Sequence, residues 1–139
     1  MAWEPIPLEV FDKLPAEIKS SWVFVLRAGT NTGPERHPNS HQRMMSFAGG
    51  GDLQTGELDV WKSNVLTSDP AAPWEQRWVS IPPNIWHQPV VPNESDWVVV
   101  SFHTVPAEEL IEERPDEKGA TRQMKYLAKN EATEPSVPS

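Results

Sequence analysis

The sequence predicts an all-β domain, a barrel or sandwich of short strands, and three observations carry that expectation. Proline makes up 15 of 139 residues, about 11% against a usual value near 5%, and the prolines fall in clusters between short apolar runs. Those runs are rich in β-branched and aromatic residues and have ordinary strand lengths. Between them stand the Gly, Pro, Asn and Asp residues that tight turns require.

Taken in order, Glu9 to Ser20 reads as a short helix and Ser21 to Arg27 as the first strand. Thr30-Asn31-Thr32-Gly33-Pro34 is a turn, and Gln42 to Ala48 is the second strand. Gly49-Gly50-Gly51-Asp52 and Thr55-Gly56 read as turns around a third strand, Leu58 to Trp61. Ser68-Asp69-Pro70 precedes a fourth at Arg77 to Ile81, and Val91-Pro92-Asn93 precedes a fifth at Asp96 to His103. Thr104 with Pro106 caps and begins a helix to about Glu113, and a further short helix is expected around Arg122 to Lys129. Residues 1–115 therefore form one domain and 116–139 a polar tail ending in Glu134-Pro135-Ser136-Val137-Pro138-Ser139.

Composition narrows the chemistry. With no Cys there is no thiolate metal site and no cysteine nucleophile, so any metal must bind through N and O. The formal charge of −8 disfavours nucleic acid and anionic membranes as partners. The longest nearly apolar run, Trp97 to Phe102, is far short of the roughly 20 residues a membrane helix needs. Glu4, Glu9 and Asp12 stand where a signal peptide would be basic and then apolar, so a cytoplasmic protein is expected. The Gly49-Gly50-Gly51 run lacks the helix and Lys-Ser/Thr pair of a phosphate loop.

The histidines carry the candidate chemistry. Glu35-Arg36-His37-Pro38-Asn39-Ser40-His41 holds two of the four, and Pro38 disfavours a continuous helix through them. In an extended segment Glu35, His37, His41 and Arg43 share one side. One carboxylate and two imidazoles there, with a further ligand from elsewhere, suit Fe(II), Zn, Mn, Ni or Cu. Ser80-Ile81-Pro82-Pro83-Asn84-Ile85-Trp86-His87-Gln88 delivers a third histidine beside an aromatic ring.

Pro82-x-Asn84-x-x-His87 resembles the second motif of the cupins, usually P-x-G-x-x-H, with Asn for Gly; Asn tolerates the left-handed backbone better than other non-Gly residues. The first cupin motif is usually H-x-H, three or four residues, E, six residues, G. Placing His37 on its second histidine puts Glu35 on the first and His41 on the Glu, with Gly49 one residue beyond the expected glycine. The glycine before Pro82 and the motif's final Asn, where Val91 stands, are absent. The likeness runs from about Val23 to His103.

The resemblance implies a double-stranded β-helix, the jelly-roll barrel, with short flanking helices and one mononuclear centre bound by Glu35, His37, His41 and His87. It implies a small-molecule substrate and, from the cupin habit, a homodimer. Among the activities of that family we expect a dioxygenase-type oxidoreductase using one divalent transition metal, Fe(II) ahead of Zn, Mn, Ni or Cu. The alternatives are a lyase or isomerase using Zn, Mn or Ni, or a binder without turnover. Glu35 and His103 are the candidate acid–base groups, and Arg43, Trp78 and Trp86 the candidate substrate contacts.

Overall fold

The computed structural model describes residues 1–127. Eleven strands follow one another along them: β1 Ala2–Ile6, β2 Ser20–Leu26, β3 Gln42–Ala48, β4 Gly50–Glu57, β5 Val60–Lys62, β6 Val65–Thr67, β7 Trp78–Ile81, β8 Trp86–Val90, β9 Trp97–His103, β10 Ile111–Pro115 and β11 Thr121–Lys125. One sheet has the order β1-β2-β9-β3-β7, and every pairing in it is antiparallel. In the second, β4 pairs with β8 along one edge, from Asp52↔Val90 to Gly56↔Trp86, and with β6 and β5 along the other. A β10–β11 hairpin completes the set.

The inner faces follow from alternation. On β9, Val99, Ser101 and His103 point inward, as do Gln42, Met44 and Ser46 on β3. The main core joins Leu26, Met44, Ile81, Trp97 and Val99 of the first sheet to Leu53 and Leu66 of the second. Each such aliphatic side chain, fully buried, contributes about 1.5–3 kcal/mol. A second cluster packs Trp3, Trp22, Leu110 and Tyr126, with Trp22 and Tyr126 edge-on at 5.3 Å.

The structure corrects several sequence expectations. The glycine-rich run is a turn only at Gly49, whose φ is +76°; Gly50 and Gly51 begin β4, which extends through the expected turn at Thr55-Gly56. Gly51 is there for space, since a Cβ on it would lie 2.5 Å from the Trp97 ring. The strand expected at Leu58 to Trp61 becomes a turn at Leu58-Asp59 followed by β5. Neither flanking helix forms: single 3-10 turns occupy Leu8–Val10 and Ala107–Glu109.

Beyond the second turn the chain extends into β10, because pairing with β11 and the Arg36–Glu113 bridge outweigh the helix propensity of the glutamates. Of the helix expected around Arg122 to Lys129, residues 122–125 are instead part of β11, and Tyr126 and Leu127 are helical. Residues 116–127, read in sequence as tail, thus contribute a strand and the core side chain Tyr126; residues 128–139 lie outside the described residues. No helix among the described residues is long and apolar enough to cross a membrane.

Candidate metal centre

Residues 35 and 36 run between β8 and β10. The Glu35 and His87 backbones exchange both hydrogen bonds, N to O at 2.9 Å each way, which sets their side chains on one face. Arg36 does the same with Glu113 on the other edge, at 3.0 and 2.8 Å, and its guanidinium meets the Glu113 carboxylate at 2.7 Å. By alternation Glu35 and His37 face inward with His87, while Arg36 faces out.

One ligand atom from each of Glu35, His37 and His87 lies within 4.8 Å of the other two. His37 Nε2 is 3.1 Å and His87 Nε2 3.8 Å from Glu35 Oε2. Both histidines are turned by their other nitrogen: Nδ1 of His37 donates to the Ile111 carbonyl at 2.8 Å, and Nδ1 of His87 to that of Ile85 at 3.3 Å. Backbone carbonyls therefore set the tautomer that leaves Nε2 aimed at the carboxylate. The other carboxylate oxygen, Oε1, accepts from Arg114 Nη2 at 3.1 Å, and Arg114 is itself fixed by Glu112 and the Thr32 carbonyl.

The charges follow from burial and pairing. Burial would raise the Glu35 carboxyl, but the His37 hydrogen bond and the charges of His37, His87 and Arg114 hold it well below the usual range. Burial would lower His37, and the Glu35 hydrogen bond and charge raise it above its ordinary value. For His87 burial wins and pushes it down to about 4. His103 is also held low, by burial and then by the charges of His37 and His87. These shifts favour an ion pair of Glu35 with protonated His37 beside neutral His87 and His103.

The sequence-predicted residues divide into two groups. His103 points inward, its ring edge-on to His37 at 4.9 Å and its Nδ1 2.8 Å from Ser40 Oγ. His41 is not brought to Glu35: a turn at Pro38-Asn39 shifts the alternation by one residue, so Ser40 and Gln42 face in and His41 and Arg43 face out. His41 Nε2 bonds Ser80 Oγ at 2.5 Å, on the far side of the sheet. Arg43 and Trp78 also line that outer groove, not the histidine cavity. Trp86 flanks His87 in sequence and points the opposite way, under the Arg36 guanidinium at 4.4 Å.

Gln42 is the residue that sequence reasoning passed over. It is buried, lines a cavity of about 40 Å³ with Glu35 and His87, and donates from Nε2 to Ser101 Oγ at 2.9 Å. Its Oε1 has no hydrogen-bond partner. The signal was present in the spacing: with four residues between His37 and the motif's acidic position, Gln42 occupies that position and Gly49 falls in register. Choosing three residues led to His41.

No protein-family model matches the chain, and no curated protein matches it. Solved structures do. A cupin 2 domain-containing protein from Halorhodospira halophila is 18% identical with a TM-score of 0.57, over 97% of this chain and 77% of that one. The coconut allergen cocosin is 16% identical with a TM-score of 0.58, over 73% of this chain and 25% of that one. The capsular polysaccharide assembling protein CapF from Staphylococcus aureus is 15% identical with a TM-score of 0.53, over 62% of this chain and 22% of that one. This chain therefore spans about a quarter of the length of those last two proteins. With its antiparallel two-sheet barrel and the P-x-N-x-x-H turn delivering His87 to the interior, the chain has the jelly-roll fold of the cupins.

Proposed function

We propose that Glu35, His37 and His87 hold one divalent transition metal and that the protein is a mononuclear metal-dependent oxidoreductase of dioxygenase type, acting on a small organic molecule. The observation that carries this reading is the donor set, one carboxylate and two imidazoles with their Nε2 atoms turned to a common point by backbone carbonyls. Two histidines and one carboxylate are the set that suits non-haem Fe(II) with open positions. The orphaned Oε1 of Gln42 in the same cavity fits as well, because a buried amide oxygen without a partner costs about 1–3 kcal/mol unless something polar meets it.

Iron(II) held by Glu35, His37 and His87 would supply redox chemistry with dioxygen, whereas Zn, Mn or Ni would supply Lewis-acid chemistry for a lyase or isomerase. The protein's own part is positional. Arg114 fixes the carboxylate by one oxygen and leaves the other toward the histidines. His103 backs the His37 ring and acts as a positioning residue through it. Phe24, Leu26, Met44, Leu53 and Val99 make the cavity wall apolar, which excludes water from the reacting groups. Met1 and Thr32 stand at its more accessible side.

A second reading, a small-ligand binder without turnover, is favoured by Arg114, which already supplies Glu35 with a cation. Elemental mass spectrometry of protein purified without added metal or an affinity tag separates the two. One equivalent of transition metal, lost in the His37→Ala/His87→Ala variant, supports the metal enzyme, and its identity divides redox from Lewis-acid chemistry. Absence of metal after reconstitution leaves the binder.

A further inference from the structure

The residues that the Pro38-Asn39 turn sends outward converge on a second site. A groove of about 840 Å³ lies on the outer face of β9, β3 and β7, bordered by the Lys13 to Ile18 loop, and its volume is in the range of small-molecule sites. Arg43 of β3 lies directly opposite Ser80 of β7, and His41, two residues from Arg43 on the same face, is hydrogen-bonded to Ser80 Oγ. Arg43, Ser80 and His41 thus line the groove from neighbouring positions on two paired strands. None of the ion pairs among the described residues uses Arg43, although Glu17 and Glu75 line the same groove.

Beside these polar groups runs an aromatic platform. Trp78, two residues from Ser80 on the same face of β7, is stacked on Phe102 with ring centroids 6.0 Å apart and planes 22° apart. Trp74 continues the row at 5.8 Å and is 68% exposed, a large apolar surface with nothing packed over it. A planar fork donor next to a flat aromatic wall selects an anion that is itself planar and carries a ring.

We propose that this groove is a binding site for an aromatic carboxylate, separate from the histidine cavity and independent of metal. The carboxylate sits on Arg43 and Ser80, and the ring lies along Trp78 and Trp74. Arg43, which enters none of the ion pairs among the described residues, provides the local charge complementarity, and the planar guanidinium favours two coplanar oxygens.

The test is a titration of the full chain with 2-naphthoate, followed by amide shifts in nuclear magnetic resonance and by tryptophan fluorescence, with EDTA and without it. The expected result is saturable binding that shifts Arg43, Trp78 and Ser80, is unchanged by EDTA, and weakens at least about tenfold in Arg43→Gln or when 2-naphthamide replaces the acid. Trp74→Ala, at an exposed position, weakens binding of both ligands. The proposal is overturned if no saturable binding occurs, if Arg43→Gln and the amide bind as tightly as the parent pair, or if the shifts centre on Glu35 and His87.

Discussion

Arg114 and Glu35 meet at 3.1 Å through Nη2 and Oε1, so the carboxylate that faces the two histidines is held from behind by a guanidinium that also pairs with the buried Glu112. Removing the guanidinium leaves two inward carboxylates with one cationic partner fewer. Arg114→Gln should therefore destabilise the fold by about 2–4 kcal/mol, read as a drop in the urea midpoint, and Arg114→Gln/Glu112→Gln should recover part of the loss. A midpoint unchanged in the single variant would show that the pair contributes little.

The division of the histidines predicts opposite outcomes for two similar substitutions. His87→Ala should abolish retention of a transition metal while circular dichroism shows the fold intact, and His41→Ala, on the outer face, should retain the full complement. Metal loss in His41→Ala would refute the placement of His41 outside the centre.

Gln42 gives a test in the opposite direction. Gln42→Glu places a second carboxylate beside Glu35 in a buried cavity, which costs several kcal/mol in the presence of a chelator. A bound divalent cation offsets that cost. The melting temperature should fall below the parent's in EDTA and rise more than the parent's on adding Fe(II) or Zn(II). An equal rise in both proteins would mean that Gln42 does not face the ion.

In EDTA the site also sets a pH optimum for stability. His87, ordinarily near 6.5, is held at about 4 in the folded state; between those values the unfolded chain binds the proton and the folded one does not, so stability rises with pH. His37 is raised above 6.5, so from there upward the folded state keeps a proton that the unfolded chain has lost, and stability falls. Melting temperatures from about pH 4 to 9 should pass through a maximum near neutrality. A monotonic curve would contradict the Glu35–His37 ion pair.

Gly51 lies against the ring of Trp97, which is wholly buried and donates from Nε1 to Ser46 Oγ at 2.8 Å. Gly51→Ala should cost about 1–3 kcal/mol by overpacking, measured by chemical denaturation. A neutral result would mean that β4 and β9 can separate without loss.

Much of this architecture was legible in the residues. Alternation puts Val99, Ser101 and His103 on one face of β9, the structure turns that face inward, and Asn84 does adopt the left-handed conformation, with φ +66°, that the P-x-N-x-x-H turn requires. What stayed hidden depends on partners distant in sequence. Gly50 and Gly51 read as a turn because the close approach of Trp97 that demands glycine is invisible locally. Pro89 obscured β8, although it sits in register opposite Leu53. The one-residue change of phase at Pro38-Asn39 decided which histidine faces in, and local spacing alone allows either answer.

The centre is assembled from remote pieces of chain: Glu35 is paired with His87, and His37 is oriented by Ile111, 74 positions away. None of these contacts exists until the two sheets and the β10–β11 hairpin have closed, so the chelate cannot act as a folding nucleus as a local zinc loop does. Capture of a metal at the proposed centre would then be a late event, after the barrel is complete. An ion acquired at that stage would slow unfolding while leaving the folding rate unchanged, so its contribution would be measured in how long the folded protein persists.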